Sequence, residues 1–185
     1  ALFSLGATVV PLDYMLTEDE LVSCLTHCQA KLLIAKEKEH LSLENLKNRV
    51  LSLEEIVVLE PTKTNFKSFQ KVLASARPLP PQDIKIEDSD PALIMYTSGT
   101  TGSPKGILLN YRHLDGSPKA MEYFVDLSEK DIKLCCLPLS HSAGLIYIQN
   151  CICYGITLVL MERFQPLEFL KNIQKYKVTC FHLVP

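Results

Sequence analysis

A chain of 185 residues, 47% of them hydrophobic, is long enough to bury one sizeable core. Nineteen basic and 21 acidic residues leave a net charge of −2 with no basic block, which argues against nucleic acid as a partner. Seven cysteines, an odd number set mainly within apolar runs, make no disulfide framework and read as reduced core thiols of a cytoplasmic protein.

The chain begins on Ala1 rather than Met and ends on Val184-Pro185 just after an apolar run, which reads as an excerpt of a longer protein. No signal peptide is visible, but an excerpt can have lost one, so organelle targeting stays open. Thr17, followed three residues later by Glu20, is a capping box and predicts a helix from Glu18 to about Cys28. Lys31 to Ala35 (KLLIA) and Ile56 to Leu59 (IVVL) read as short buried strands. Asn65 to Ala76 carries Phe66, Phe69, Val72 and Leu73 at helical spacing. Arg77 to Asp83 (RPLPPQD) is a proline-rich connector, because proline neither continues a helix nor joins a ladder, and it separates candidate subregions 1–76 and 84–185.

Ala92 to Met95 predicts a buried strand that runs into a polar loop, followed by a strand over Ile107 to Leu109 and a helix. Gly116-Ser117-Pro118 breaks that segment, with Ser117 placed to cap a second helix and Pro118 at its first position. Strands over Ile132 to Leu137 and Thr157 to Leu160 bracket a helix of about Ser142 to Tyr154; Pro166 opens a helix to Tyr176, and Val178 to Leu183 closes as a strand. Leu134 to Met161 contains no Asp, Glu, Lys or Arg, yet Pro138, Ser140, Ser142, Gly144, Gln149, Asn150 and Gly155 interrupt it. A buried helix between two core strands is therefore expected there rather than a transmembrane segment. Strand and helix alternate with few hairpin signals, which argues for an α/β fold with mostly parallel sheets flanked by helices.

The stretch YTSGTTGSPKG, Tyr96 to Gly106, is the most informative part of the chain. Thr97, Ser98, Thr100, Thr101 and Ser103 supply hydroxyl donors, Gly99, Gly102 and Gly106 free the backbone, and Lys105 supplies a point charge. Leaving directly from a core strand, these groups suit a polyphosphate cradle better than a Ser/Gly-rich linker. The loop is not a Walker A sequence, since Pro104 stands where a glycine would precede the lysine, and Gly99, Gly102 and Lys105 miss the dinucleotide fingerprint.

This loop resembles the phosphate-loop signature of the adenylate-forming enzymes, which include acyl- and aryl-CoA synthetases, beetle luciferases and peptide-synthetase adenylation domains. GATVVPLDYMLTEDEL (Gly6 to Leu21), PLSHSAGL (Pro138 to Leu145) and VTCFHLVP (Val178 to Pro185) resemble family segments in the same order. The resemblance implies that residues 1–185 form part of one AMP-binding, large N-terminal domain, in which the family usually runs one unbroken helix where Gly116-Ser117-Pro118 stands. It implies ATP-dependent activation of a carboxylic acid to an acyl-adenylate, then thioester formation with CoA, with Mg²⁺ sharing the pyrophosphate charge. Thr97, Ser98, Gly99, Thr100, Thr101, Gly102 and Lys105 would hold the phosphates. His141 would lie beside the acyl carboxylate and α-phosphate, with Ala143 and Gly144 lining the adjacent pocket; the metal ligands stay unknown. Many relatives carry a bulky aromatic where Ala143 sits, so a roomier acyl site is implied.

Residue by residue, the plainer readings stand beside these. A lone histidine is often a satisfied core residue, but His141 follows Pro138-Leu139-Ser140 at a predicted strand end, where α/β sheets bind ligands, and with the resemblance this favours the functional reading. His27, His40, His113 and His182 carry no partner signature. Glu87, Asp88 and Asp90 read as solvated loop acids, Tyr96 as packing at the strand end, and Cys24 with Cys28 as core packing rather than a zinc site. A peptide-synthetase pocket needs a carboxylate for the substrate ammonium, and no acid stands between Asp131 and Glu162. A plain carboxylic acid is therefore expected, a fatty acid first and aryl acids such as coumarate second, with an amino-acid-activating domain as a further alternative. No transmembrane segment is expected, while peripheral membrane contact stays open. The downstream glutamate associated with Mg²⁺, the ribose-binding aspartate, the hinge and the C-terminal domain with its catalytic lysine are absent, so this piece alone is expected to be inactive. The alternative of another class is an inactive, truncated nucleotide-binding remnant.

Overall fold

The computed structural model describes residues 2–38, 41–60, 65–77, 84–97, 105–114, 116 and 126–183. The chain divides into two units: a larger one from Ala1–Asp13, Lys85–Met95 and Leu108–Pro185, and a smaller one from Tyr14–Ile84 and Tyr96–Ile107.

The smaller unit opens with α1 (Glu18–His27), which starts where the capping box places it. The Thr17 side chain accepts from the Glu20 backbone, and the Thr17 N–H donates to the Glu20 carboxylate at 2.8 Å. After β1 (Leu32–Ala35) comes α2 (Leu43–Arg49), capped by Ser42, then β2 (Glu55–Val58), β3 (Lys67–Ser68) and α3 (Phe69–Ser75). The strands form a parallel sheet in the order β1-β2-β3, with Leu33 opposite Ile56 and Val57 opposite Lys67. Leu21, Leu25, Leu43, Leu46, Val50, Ile56 and Val58 fill its interior. The helix expected from Asn65 starts instead at Phe69. Residues Lys67 and Ser68 are taken by the sheet edge, and Ser68 then caps the helix by accepting from the Lys71 N–H at 3.3 Å.

In the larger unit, β4 (Pro91–Thr97) hydrogen-bonds with β5 (Lys105–Asn110), and a parallel bridge joins Val9 to Leu93. Both strands continue into the smaller unit, β4 at Tyr96 and β5 at Ile107. A run of β6 (Ile132–Cys135), α4 (Ser142–Tyr154), β7 (Thr157–Leu160), α5 (Pro166–Tyr176) and β8 (Cys180–Phe181) follows. Its sheet is parallel in the order β7-β6-β8. Strand periodicity sorts β6 between two helices. Leu134 and Cys136 pack with Met161 and Phe169 beneath α5, whereas Lys133 points to Asn150 of α4.

The expected α/β fold with parallel sheets and flanking helices is what the chain forms. The closing strand is shorter than expected, Cys180–Phe181 instead of Val178 to Leu183, because its ladder with β6 holds two register pairs, Cys180 opposite Lys133 and Phe181 opposite Leu134. The acid-free run Leu134–Met161 is sheet, helix and sheet, and no helix among the described residues is long and apolar enough to cross a membrane. All seven cysteines are free thiols. Cys24, Cys135 and Cys136 are buried, but Cys153 is exposed, so the core reading fails for it. The second helix expected after Ser117 and most of the connector 77–83 lie outside the described residues, as does His40.

Candidate active site

Thr97 is the last residue of β4 and Lys105 the first of β5, both exposed at the two ends of the polar loop. Ser98, Gly99, Thr100, Thr101 and Gly102 lie outside the described residues. Among the described residues no carboxylate pairs with Lys105, which leaves its ammonium able to meet an anion.

The residue that precedes Thr97 carries a polar network within the smaller unit. Tyr96 is half-buried, its Oη lies 2.7 Å from His27 Nδ1, and it donates to the Cys24 carbonyl at 3.0 Å. Its ring meets the His27 imidazole edge-on with centroids 5.7 Å apart. Burial, reinforced by Cys28 and Cys24, pushes the phenol well above its ordinary value and keeps it protonated. Burial likewise pushes the Cys24 thiol up to about 11, with Cys28 and Glu20 adding to it, so Cys24 is an inert packing group. The sequence carried no sign of this network, because His27 and Tyr96 are 69 positions apart.

His141, Ala143 and Gly144 belong to the larger unit. His141 is exposed, which removes the core-residue reading, and it is the N-cap of α4. Its backbone N–H donates to the Pro138 carbonyl at 3.0 Å, and its Nδ1 accepts from the Ala143 N–H over a long 3.4 Å. An accepting Nδ1 puts the proton of the neutral ring on Nε2, so the imidazole presents an N–H donor away from the helix. Gly144 is buried against the preceding turn, where a Cβ would stand 2.2 Å from the Pro138 carbonyl oxygen. Only glycine lets α4 approach this turn, and the approach sets the direction of His141. Ser140 Oγ donates to Asp13 Oδ2 at 3.3 Å, tying the same turn to the N-terminal stretch.

Behind this helix lies a second feature without a clear sequence signal. Lys133, 5% exposed, donates to Asn150 Oδ1 at 2.8 Å and lies 4.6 Å from the Tyr147 ring centroid. Asn150 Nδ2 is buried with no hydrogen-bond partner among the described residues, and Tyr147 Oη donates to the His182 carbonyl at 3.2 Å. The one usable hint is a lysine at an inward position of an otherwise apolar strand. Among the described residues no group of three His, Cys, Asp or Glu could hold a metal ion.

A family model described as AMP-binding enzyme matches residues 1–185, and the chain belongs to that family, the adenylate-forming enzymes. It is 29% identical over 194 residues to 4-coumarate–CoA ligase-like 6 of Arabidopsis thaliana, covering 100% of this chain and 34% of that protein. It is 30% identical over 192 residues to long-chain fatty acid transport protein 2 of Rattus norvegicus, covering 99% and 30%. The N-terminal domain of FACL13 from Mycobacterium tuberculosis, solved with an inhibitor, superposes with a TM-score of 0.84 at 24% identity over 100% of this chain and 45% of that one. The o-succinylbenzoate CoA synthetase of Bacillus subtilis, solved with ATP and magnesium ion, matches with a TM-score of 0.78 at 25% identity over 97% and 34%. The chain thus spans about a third of the length of these curated relatives.

Proposed function

We propose that the protein carrying this chain is an AMP-forming acid–thiol ligase that activates a carboxylic acid with ATP and passes the acyl group to CoA. The observation that carries this reading is the YTSGTTGSPKG loop, which leaves core strand β4 and ends on Lys105, a cation with no acidic partner among the described residues. Attack of a carboxylate on the α-phosphate expels pyrophosphate, so negative charge grows on the leaving group. Hydroxyl and backbone donors of Thr97, Ser98, Gly99, Thr100, Thr101 and Gly102, with the Lys105 ammonium, would stabilise that charge. His141 would donate from Nε2 to an oxygen of the acyl carboxylate or α-phosphate, held in that tautomer by its bond at the helix start. Mg²⁺ would accompany the polyphosphate and neutralise part of its charge.

The acyl group is proposed to be fatty. The run from Ile132 to Met161 offers no carboxylate for a substrate ammonium, and a relative named for long-chain fatty acid transport is 30% identical. Ala143, small and half-buried in the first turn of α4, would leave room for the chain beside Gly144. An aryl acid is the second reading, favoured by the similarity to a 4-coumarate–CoA ligase-like protein. ATP–pyrophosphate exchange on the complete protein with fatty, aryl and amino acids tests the assignment. Exchange stimulated by fatty acids is expected, exchange with coumarate alone would select the aryl reading, and exchange with amino acids alone would overturn the CoA-ligase reading. No exchange with any acid would favour an inactive remnant.

A further inference from the structure

We propose that Tyr96 and His27 are a positioning pair for the loop that starts at Thr97, fixing the direction in which the chain leaves β4; this rests on the reading of that loop as a phosphate site. Along the end of β4, Met95 is buried, Tyr96 half-buried and Thr97 exposed, so Tyr96 is the last side chain anchored before the loop. Its polar contacts gather at the C-terminal end of one helix: His27 Nδ1 at 2.7 Å, the Cys24 carbonyl at 3.0 Å and the side chain of the C-cap Cys28.

A phenol has one proton and a carbonyl can only accept, so with the Tyr96 proton on the Cys24 carbonyl the matching partner role for His27 is to donate from Nδ1 to the phenol oxygen. A donor ring also suits its position, since His27 is the last residue of α1, where carbonyl groups concentrate negative potential. A phenylalanine would fill the same space against α1 but would keep neither hydrogen bond. The hydroxyl therefore adds a fixed direction rather than packing. Thr97 follows with no intervening residue, so a small rotation at Tyr96 swings the first loop hydroxyl. Misplacement of that size weakens a phosphate contact and leaves binding of the acid untouched.

The test uses pyrophosphate exchange on the complete protein with Tyr96→Phe, His27→Leu, His27→Asn and the Tyr96→Phe/His27→Leu double variant. Tyr96→Phe and His27→Leu should each raise the KM for ATP about 5- to 20-fold with the KM for the acid within about twofold, the range of a contact worth one hydrogen bond. His27→Asn, whose amide reaches the place of Nδ1, should restore ATP affinity to within about threefold of the wild type. The double variant should be no worse than Tyr96→Phe alone, because that change already removes the contact with His27. If Tyr96→Phe and His27→Leu keep the wild-type KM for ATP while Lys105→Ala is impaired, the positioning role is wrong and the loop reading survives. If Lys105→Ala is also unimpaired, the loop reading itself has failed. Equal loss for ATP and acid, or no recovery in His27→Asn, would mark a merely structural role and overturn the proposal.

Discussion

In the smaller unit, Leu21, Leu25, Leu43, Leu46, Val50, Ile56 and Val58 form an apolar interior, and the charged groups stand outside it. Lys31 pairs with Glu54 and Lys67 with Glu55, both at 2.8 Å, while Arg49 reaches Glu18 and Asp19 at 3.3 and 2.7 Å. The larger unit also pairs parallel strands with covering helices, yet it buries a lysine and an asparagine between β6 and α4. Exposed ion pairs of the first kind contribute roughly 0–1 kcal/mol each, so the smaller unit rests on its apolar packing. A buried ammonium with one neutral partner is different in kind. Among the described residues its desolvation is offset by the Asn150 carbonyl oxygen and the Tyr147 ring, and losing the asparagine leaves the charge without its hydrogen-bonding side chain.

The contrast can be measured by unfolding in urea. Leu46→Ala in the smaller unit should cost ~2–5 kcal/mol, the ordinary range for a fully buried leucine. In the larger unit, Asn150→Leu should cost about 3 kcal/mol although it adds apolar volume, because it removes the only hydrogen-bonding side chain that Lys133 has among the described residues. Lys133→Met combined with Asn150→Leu should return stability to within about 1 kcal/mol of the wild type, since no polar group is then left unmatched. Additive losses in that double variant would mean that the pair is not coupled and that both units rest on packing alone.

A smaller effect is expected at the surface of the larger unit. The Asp131 carboxylate accepts from the Ser128 N–H and the Thr179 hydroxyl, each at 2.8 Å, and from the Ser128 hydroxyl at 3.1 Å. These bonds, the Ser128 backbone first, hold it below the ordinary aspartate range. A depressed carboxylate contributes stability above its unfolded value of ~3.9, and the contribution disappears as pH falls through the lower folded value. Asp131→Asn should therefore lower the thermal midpoint by a few degrees at most at pH 7, with the gap to the wild type closing as pH falls through the lowered folded value. A gap that stayed constant down to pH 2 would assign the loss to shape rather than charge.

Local signals are legible in the sequence and long-range ones are not. Thr17 with Glu20 gave the start of α1, and Pro166 gave that of α5, because caps and proline act within one turn. The helix α4 was legible from its apolar run between two strands. By contrast α2 spans only Leu43–Arg49, too short to show a period, and β3 is two residues at the head of an apparent helix. In the candidate site, loop composition and the Pro138–Leu145 segment were visible, since each is contiguous. The partnership of Tyr96 with His27 and that of Lys133 with Asn150 depend on tertiary placement, as does the fit of Gly144 against the Pro138 carbonyl. A histidine at a helix end and a lysine in an apolar strand look unremarkable until the fold brings their partners in.

The central claim is that the loop from Tyr96 to Gly106 binds the polyphosphate of ATP and stabilises departing pyrophosphate. Lys105 tests it most directly, being exposed and without an acidic partner among the described residues, so its removal should leave the fold intact. In ATP–pyrophosphate exchange on the complete protein, Lys105→Ala should slow the rate by about 10²- to 10³-fold with an unchanged thermal midpoint, the cost of one strong transition-state contact. Exchange at the wild-type rate in a folded Lys105→Ala protein would contradict the account.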